Sequence, residues 1–233
     1  MKIYRDIIKD LQVEIDQDYK IGCINFFKEK ITLHGVRTPI VRKIARKYFK
    51  EKIRFFNKEE LFNLCEILLK SDYNEEATIA IQFLKLRLSD LRRNDFKKLE
   101  GYLKKYINNW SKDDDFCTHV LGHMIGRYPE LRSELFKWSR SSNMWVRRAS
   151  AVSLISIIKS SLSEAFEISK ILMSDKEDLV QKGYGWTLKV ASNYYQKEVF
   201  NFVMENKEKM TRTALRYAIE KMPKNLKIKA MKI

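Results

Sequence analysis

Val146-Arg147-Arg148-Ala149-Ser150-Ala151-Val152-Ser153-Leu154-Ile155-Ser156-Ile157-Ile158 leaves few polar positions on any side of a 3.6-residue turn. A helix apolar on most faces must lie between neighbours, as the inner helix of a stacked array does. The stretch before it, 130–140, is amphipathic, and the same alternation recurs along the chain. Amphipathic segments at 95–107, 163–173 and 196–206 each precede a more apolar partner. Upstream, Leu61, Leu64, Cys65 and Leu68 keep i, i+3, i+4, i+7 spacing behind Asn57-Lys58-Glu59-Glu60, a helix start with acid in its first turn. Phe96, Leu99, Leu103 and Tyr106 repeat that spacing with lysines opposite. Ser161-x-x-Glu164 and Ser174-x-x-Glu177 read as capping boxes. No window sustains period-two alternation. The expected fold class is all-α, with about a dozen helices and no sheet.

Composition agrees with that reading. Hydrophobic residues at 45% and aromatics at 12% exclude a disordered chain, despite 33% charged residues. Seven glycines and three prolines in 233 residues argue against a turn-rich β fold. The length suits one large domain or two small ones, and the expectation is a single domain over 1–233 with a basic tail from about residue 224. Cys23, Cys65 and Cys117 lie far apart in apolar stretches without a CxxC, which reads as buried thiols rather than a disulfide framework. Charges break every apolar run near the N-terminus, and none approaches the ~20 residues of a membrane span. A soluble, cytoplasmic protein is expected. Forty-six Lys and Arg against 30 Asp and Glu leave +16, so a polyanion is the first partner to consider.

The polar exceptions on the inner helices carry the functional signal. Asp114, Arg148, Lys182 and Arg216 each fall near the start of such a helix and are spaced by 34 residues. A constant period of that size marks a helical-hairpin repeat, and without ankyrin or tetratricopeptide residues a HEAT-like array is chosen. The expectation is a right-handed solenoid whose concave face carries this row of charges. Solvated first-turn residues, recurring because the repeats share ancestry, are the plainer alternative. Trp110 lies four residues before Asp114 and Trp186 four after Lys182, each one turn away on the same face. Trp138 and Trp145 follow their helices' apolar pattern and read as core. Arg42, Arg46 and Lys50 form a basic stripe opposite Val41, Ile44, Ala45, Tyr48 and Phe49. Lys224, Lys227, Lys229 and Lys232 extend the basic character into the tail.

Catalytic patterns of other kinds are missing. His119 and His123 have i, i+4 spacing but enclose Val-Leu-Gly, with neither a glutamate nor a third ligand, so no metal site is expected. There is no GxSxG, P-loop or GxGxxG, and Gly183-Tyr184-Gly185 has no strand before it. These glycines read instead as places of close approach.

Trp110-x-x-x-Asp114, Leu121-Gly122, Tyr128-Pro129-Glu130-Leu131, Asn143-Met144-Trp145-Val146-Arg147-Arg148-Ala149 and Gln181-Lys182-Gly183-Tyr184-Gly185-Trp186, in that order, resemble the AlkD-type DNA glycosylases. Gly35-Val36-Arg37-Thr38-Pro39-x-x-Arg42 looks like that family's N-terminal part, so the resemblance spans roughly residues 30–220. It implies a HEAT-like solenoid cradling duplex DNA, and hydrolysis of the N-glycosidic bond of cationic alkylpurines such as 3-methyladenine and 7-methylguanine. It further implies that Trp110 and Trp186 flank the lesion, that Asp114 is the catalytic carboxylate, and that Arg148 contacts the backbone nearby. Arg147, Lys182, Lys189, Arg216, Arg42 and Arg46 complete the expected DNA-binding set, with Lys189 where the family would place an arginine. No metal, nucleotide cofactor or covalent lysine is called for, and the chain is expected to act as a monomer. The competing reading is a non-catalytic DNA- or RNA-binding solenoid. A scaffold for acidic protein segments and a basic membrane-binding module follow it.

Overall fold

The computed structural model of the chain describes residues 2–232. These form fifteen α-helices: α1 (Lys2–Val13), α2 (Gln17–Phe26), α3 (Thr38–Glu51), α4 (Lys58–Lys70), α5 (Asn74–Leu86), α6 (Phe96–Tyr106), α7 (Trp110–Phe116), α8 (Gly122–Arg127), α9 (Arg132–Trp138), α10 (Met144–Val152), α11 (Leu162–Leu172), α12 (Asp178–Ala191), α13 (Gln196–Asn206), α14 (Arg212–Ile219) and α15 (Lys224–Met231). Among the described residues there is no strand, only an isolated bridge between Thr32 and Tyr73. The all-α expectation holds, and no helix is long and apolar enough to cross a membrane among the described residues.

The chain divides into two compact units, one ending at Val120 and one beginning at Leu121. No Pro-, Gly- or Ser-rich linker marks this division, which falls inside a single π-helical turn, Cys117–Leu121. In the first unit α3, α5 and α7 pack in succession, with α4 against α5 and α6. In the second, α10, α12 and α14 pack in succession, and α9, α11 and α13 lie against them as partners. The amphipathic segments behave as their pattern requires. α6 buries Phe96, Leu99, Tyr102 and Leu103 and turns Lys97, Lys104 and Lys105 to solvent. Within α5 almost every residue from Glu75 to Leu84 is buried, because neighbours cover it on several sides.

Two local expectations are corrected. The apolar run 146–158 is not one helix: α10 stops at Val152, and a 3₁₀ segment follows from Ile155 to Ser160. Serines alternating with β-branched residues there weaken the α-helical turn, and the hydroxyls of Ser156 and Ser161 bond nearby carbonyls. Neither serine capping box forms. Ser161 donates to the Ile157 carbonyl instead of capping α11, and α12 starts later, at Asp178, after the Asp175 carboxylate accepts from the Glu177 N–H. The box at Asn57 and Glu60 does form, with both reciprocal bonds present. The tail is a helix, α15, which buries Ala230 and sets Lys229 over the Phe200 ring.

Candidate nucleic-acid interface

The helices α7, α10, α12 and α14 begin at Trp110, Met144, Asp178 and Arg212, 34 residues apart. Asp114, Arg148, Lys182 and Arg216 are therefore the fifth residue of each. The register reaches further upstream, at a slightly longer repeat. α3 and α5 begin at Thr38 and Asn74, 36 residues apart and in step with α7, so Arg42 and Thr78 hold the same fifth position. Identical placement within successive helices that pack on one another gives each unit a repeated set of side chains.

In the first unit the set is built around α7. Asn109 caps the helix, its side chain accepting from the Lys112 N–H at 3.0 Å. Lys112 is buried, and its ammonium is held by the Asp72 carboxylate (2.7 Å), the Asp72 carbonyl (2.8 Å) and Asn108 (3.0 Å). Burial lowers the Lys112 pKa more than Asp72 raises it. Burial pushes Asp72 up, but hydrogen bonds from Lys112, Asn108 and Thr32 outweigh it and leave this carboxyl below its ordinary range.

That anchorage sorts the three consecutive aspartates. Asp113 is fully buried. Asp115 is turned to one side, its Oδ1 3.4 Å from the Arg42 guanidinium and 3.0 Å from His119 Nδ1. Asp114, between them, is half-buried. Its carbonyl accepts a hydrogen bond from Thr118 at 2.6 Å, within the π turn that ends α7. Single π turns inside helices recur at functional sites because they reset which side chains share a face.

Trp110 opens α7, and its indole is half-buried. Phe27 stacks on it at 4.9 Å between centroids and 14° between planes, while Phe26 meets it edge-on at 6.0 Å. Sequence reading missed this aromatic cluster; adjacent phenylalanines closing an apolar stretch before Lys28 were the available signal. The loop leading into α3 is fixed by Glu75, whose buried carboxylate accepts from the backbone N–H groups of His34, Gly35 and Val36 at 3.0, 2.7 and 3.0 Å. Gly35 has φ of 105° there, a conformation that favours glycine. Along α3, Arg42 is engaged by Asp115, whereas Arg46 is exposed with no polar partner among the described residues.

In the second unit the cations are sorted in the same way. Arg147 is occupied by the fold. Its guanidinium pairs with Asp175 at 2.5 and 3.2 Å and donates to the carbonyls of Ser141 and Ser142, and the Asp175 hydrogen bonds raise its pKa further. Arg148 is 5% exposed and lies across Gly183, with a guanidinium nitrogen bonded to the Leu179 carbonyl. Arg148 thus braces the α10–α12 contact, and Arg147 ties α10 to the loops that precede α10 and α12. Lys182 pairs with Asp178 and Lys189 with Glu220, each at 2.7 Å. Arg216 is exposed and has no polar partner among the described residues. Trp186 is half-buried on α12, while Trp138 and Trp145 are core, as their pattern predicts. α12 approaches α14 so closely that a Cβ on Gly185 would stand 2.8 Å from the Tyr217 Cβ.

No group of three or more metal-binding side chains occurs among the described residues. His119 faces Asp115 and Thr118. α7 therefore carries the half-buried Asp114 carboxylate and the Trp110 indole, with Asp115 beside them engaged by Arg42.

No curated protein matches the chain. Among solved structures, one described as a "Predicted DNA alkylation repair enzyme from Enterococcus faecalis" superposes with a TM-score of 0.80 at 15% identity, covering 91% of this chain and 98% of that one. At such identity the likeness establishes the fold. A family model, that of the DNA alkylation repair enzyme, matches residues 7–222. By that match over nearly its whole length, the chain belongs to the DNA alkylation repair enzyme family.

Proposed function

We propose that this protein is a monofunctional DNA glycosylase that hydrolyses the N-glycosidic bond of cationic alkylated purines in duplex DNA. The observation that carries the reading is the sorting of the aspartates: Asp113 is fully buried, Asp115 is turned to Arg42 and His119, and Asp114 is half-exposed one turn from Trp110. Membership of a DNA alkylation repair family supports duplex DNA as the partner.

The residue types suit the reaction. An N3- or N7-alkylated purine already carries a positive charge, so it leaves with the bonding electrons as a neutral base and needs no proton. The charge passes to the deoxyribose, where a fixed carboxylate stabilises the oxocarbenium-like transition state. Asp114 performs that role and orients the water that adds to C1′, taking its proton as the bond forms. Trp110 presents a negative ring face to the cationic base and sugar, worth about 0.5–2 kcal/mol, and Trp186 offers the same kind of ring face on the second unit. Arg46 and Arg216 meet backbone phosphates directly. Arg42, Lys182 and Lys189 exchange carboxylate partners for phosphate, and Arg147 and Arg148 hold the second unit's frame. The protein acts as a monomer, without a metal or nucleotide cofactor.

Incubating the protein with a duplex carrying one radiolabelled 7-methylguanine tests the reading. Release of the free base, lost in Asp114→Asn, is expected. Salt-sensitive duplex binding without release would overturn the catalytic assignment in favour of a DNA-binding module.

A further inference from the structure

Helix α7 is only seven residues long and runs directly into a π turn, so its own backbone bonds fix its rotation weakly. Trp110 and Asp114, four residues apart, lie on one side of it, and Lys112, two positions from each, projects from the other. Lys112 is 3% exposed, and its ammonium ends on Asp72, at the corner between α4 and α5. Other segments converge on the same corner. The Asp72 carboxylate accepts from Asn108 at 2.7 Å and from Thr32 at 3.2 Å, and the Asn74 side chain accepts from Asn109 at 3.0 Å. Asp72 itself has φ of 68°, a left-handed conformation that aspartate and asparagine adopt more readily than other non-glycine residues.

Stability alone does not call for this arrangement. Taking an ammonium out of water offsets most of what its ion pair returns, so an apolar side chain of similar volume would hold α7 to the corner as well. An apolar contact lets a short helix roll, whereas hydrogen bonds fix direction together with distance. Three oxygens hold this ammonium, at 2.7, 2.8 and 3.0 Å. We infer that Lys112 and Asp72 are a positioning pair for catalysis, which sets the rotation of α7 and through it the places of the Asp114 carboxylate and the Trp110 ring. The inference rests on the proposed glycosylase activity and adds to it a pair of residues away from the reacting atoms. Lys112 is too buried to touch a substrate and acts through the helix, whose functional side chains must be held to within about 0.5 Å and 10–20°.

The test separates chemistry from binding, with single-turnover release of 7-methylguanine and the Kd for a matched undamaged duplex measured on each variant. Lys112→Met should slow release by about 10²-fold, the loss that an ångström of misplacement brings, with the Kd unchanged. Asp72→Asn keeps the left-handed corner and removes only charge. It should slow release less, because the Asp72 carbonyl and Asn108 still hold the ammonium. The double variant should be about as slow as Lys112→Met alone, since both substitutions cut one device. Lys58→Met, which breaks the 2.8 Å pair with Asp95 in the same unit, serves as the control and should release at the wild-type rate. If Lys112→Met fails to fold, Asp72→Asn decides. A full rate in folded Asp72→Asn, or an equal slowing in the control, overturns the positioning pair and leaves the glycosylase reading intact. Weakened duplex binding that accounts for the whole loss also overturns it, in favour of a structural role. A wild type that releases no base overturns both.

Discussion

Replacing Gly185 with alanine tests the packing that supports Trp186 most sharply. An ideal Cβ at Gly185 would lie 2.8 Å from the Tyr217 Cβ, 3.0 Å from the Ala214 carbonyl oxygen and 3.2 Å from the Ala214 Cα. None of these atoms is the tip of a flexible side chain, so α14 itself must move away from α12. Overpacking of a rigid contact costs about 1–3 kcal/mol, and a backbone clash belongs at the upper end. Helix propensity offsets about 1 kcal/mol, since alanine is favoured over glycine in a helix interior. The net expectation is a loss of about 2 kcal/mol, or a Tm lower by about 4–8 °C for a chain of this size unfolding as one. Two further glycines calibrate the series. Gly101, in α6, has no atom within 4 Å of the added Cβ, so Gly101→Ala should stabilise by about 0.5–1 kcal/mol. At Gly183 the nearest atom is the Arg148 Cγ at 3.1 Å, so propensity and crowding should nearly cancel. Urea unfolding followed by far-ultraviolet circular dichroism and tryptophan fluorescence gives all three values. If Gly185→Ala proves as stable as Gly101→Ala, the close α12–α14 contact is refuted.

Four more outcomes are expected. Asp114→Asn should slow single-turnover excision of 7-methylguanine by about 10²–10³-fold, the scale of one preorganised electrostatic group, with duplex affinity held or slightly improved; Asp115→Asn should retain most of the rate, and the reverse pattern would move the chemistry to Asp115. Arg46→Ala and Arg216→Ala should each flatten the dependence of log K on log salt by about one unit, whereas Arg147→Ala should leave the slope alone and cost about 3 kcal/mol by stranding the buried Asp175 carboxylate. Glu220→Gln should free Lys189 for phosphate and steepen the salt dependence by about one unit, read in the same titration. Acid unfolding should report Asp72: its folded pKa lies below the ordinary 3.8, so its contribution is full above that value and is lost as pH falls through the depressed one. Stability measured from pH 5 downward should therefore fall less steeply in Asp72→Asn than in wild type.

The local layer of this protein was legible in the sequence. Hydrophobic spacing and the 34-residue recurrence of Asp114, Arg148, Lys182 and Arg216 depend on residues within one helix or one repeat, so they survive without knowledge of neighbours. They led to helices, to the alternation of amphipathic and inner elements, and to Trp138 and Trp145 as core. Everything that depends on a distant partner was decided by tertiary packing. The 34-residue spacing singles out Asp114, but how differently Asp113, Asp114 and Asp115 are held is not visible in the chain. They are separated by Lys112 anchored to Asp72, forty positions away, and by Arg42 and His119 drawing Asp115 aside. Arg147 and Arg148 stand in the sequence only as expected DNA-binding cations, and their partners Asp175, Leu179 and Gly183 are supplied by the next repeat. The place of Phe26 and Phe27 against Trp110, across more than eighty residues, has no trace in periodicity. Which charge faces solvent depends on which opposite charge the fold brings within hydrogen-bond reach, and in a one-dimensional pattern that information is absent.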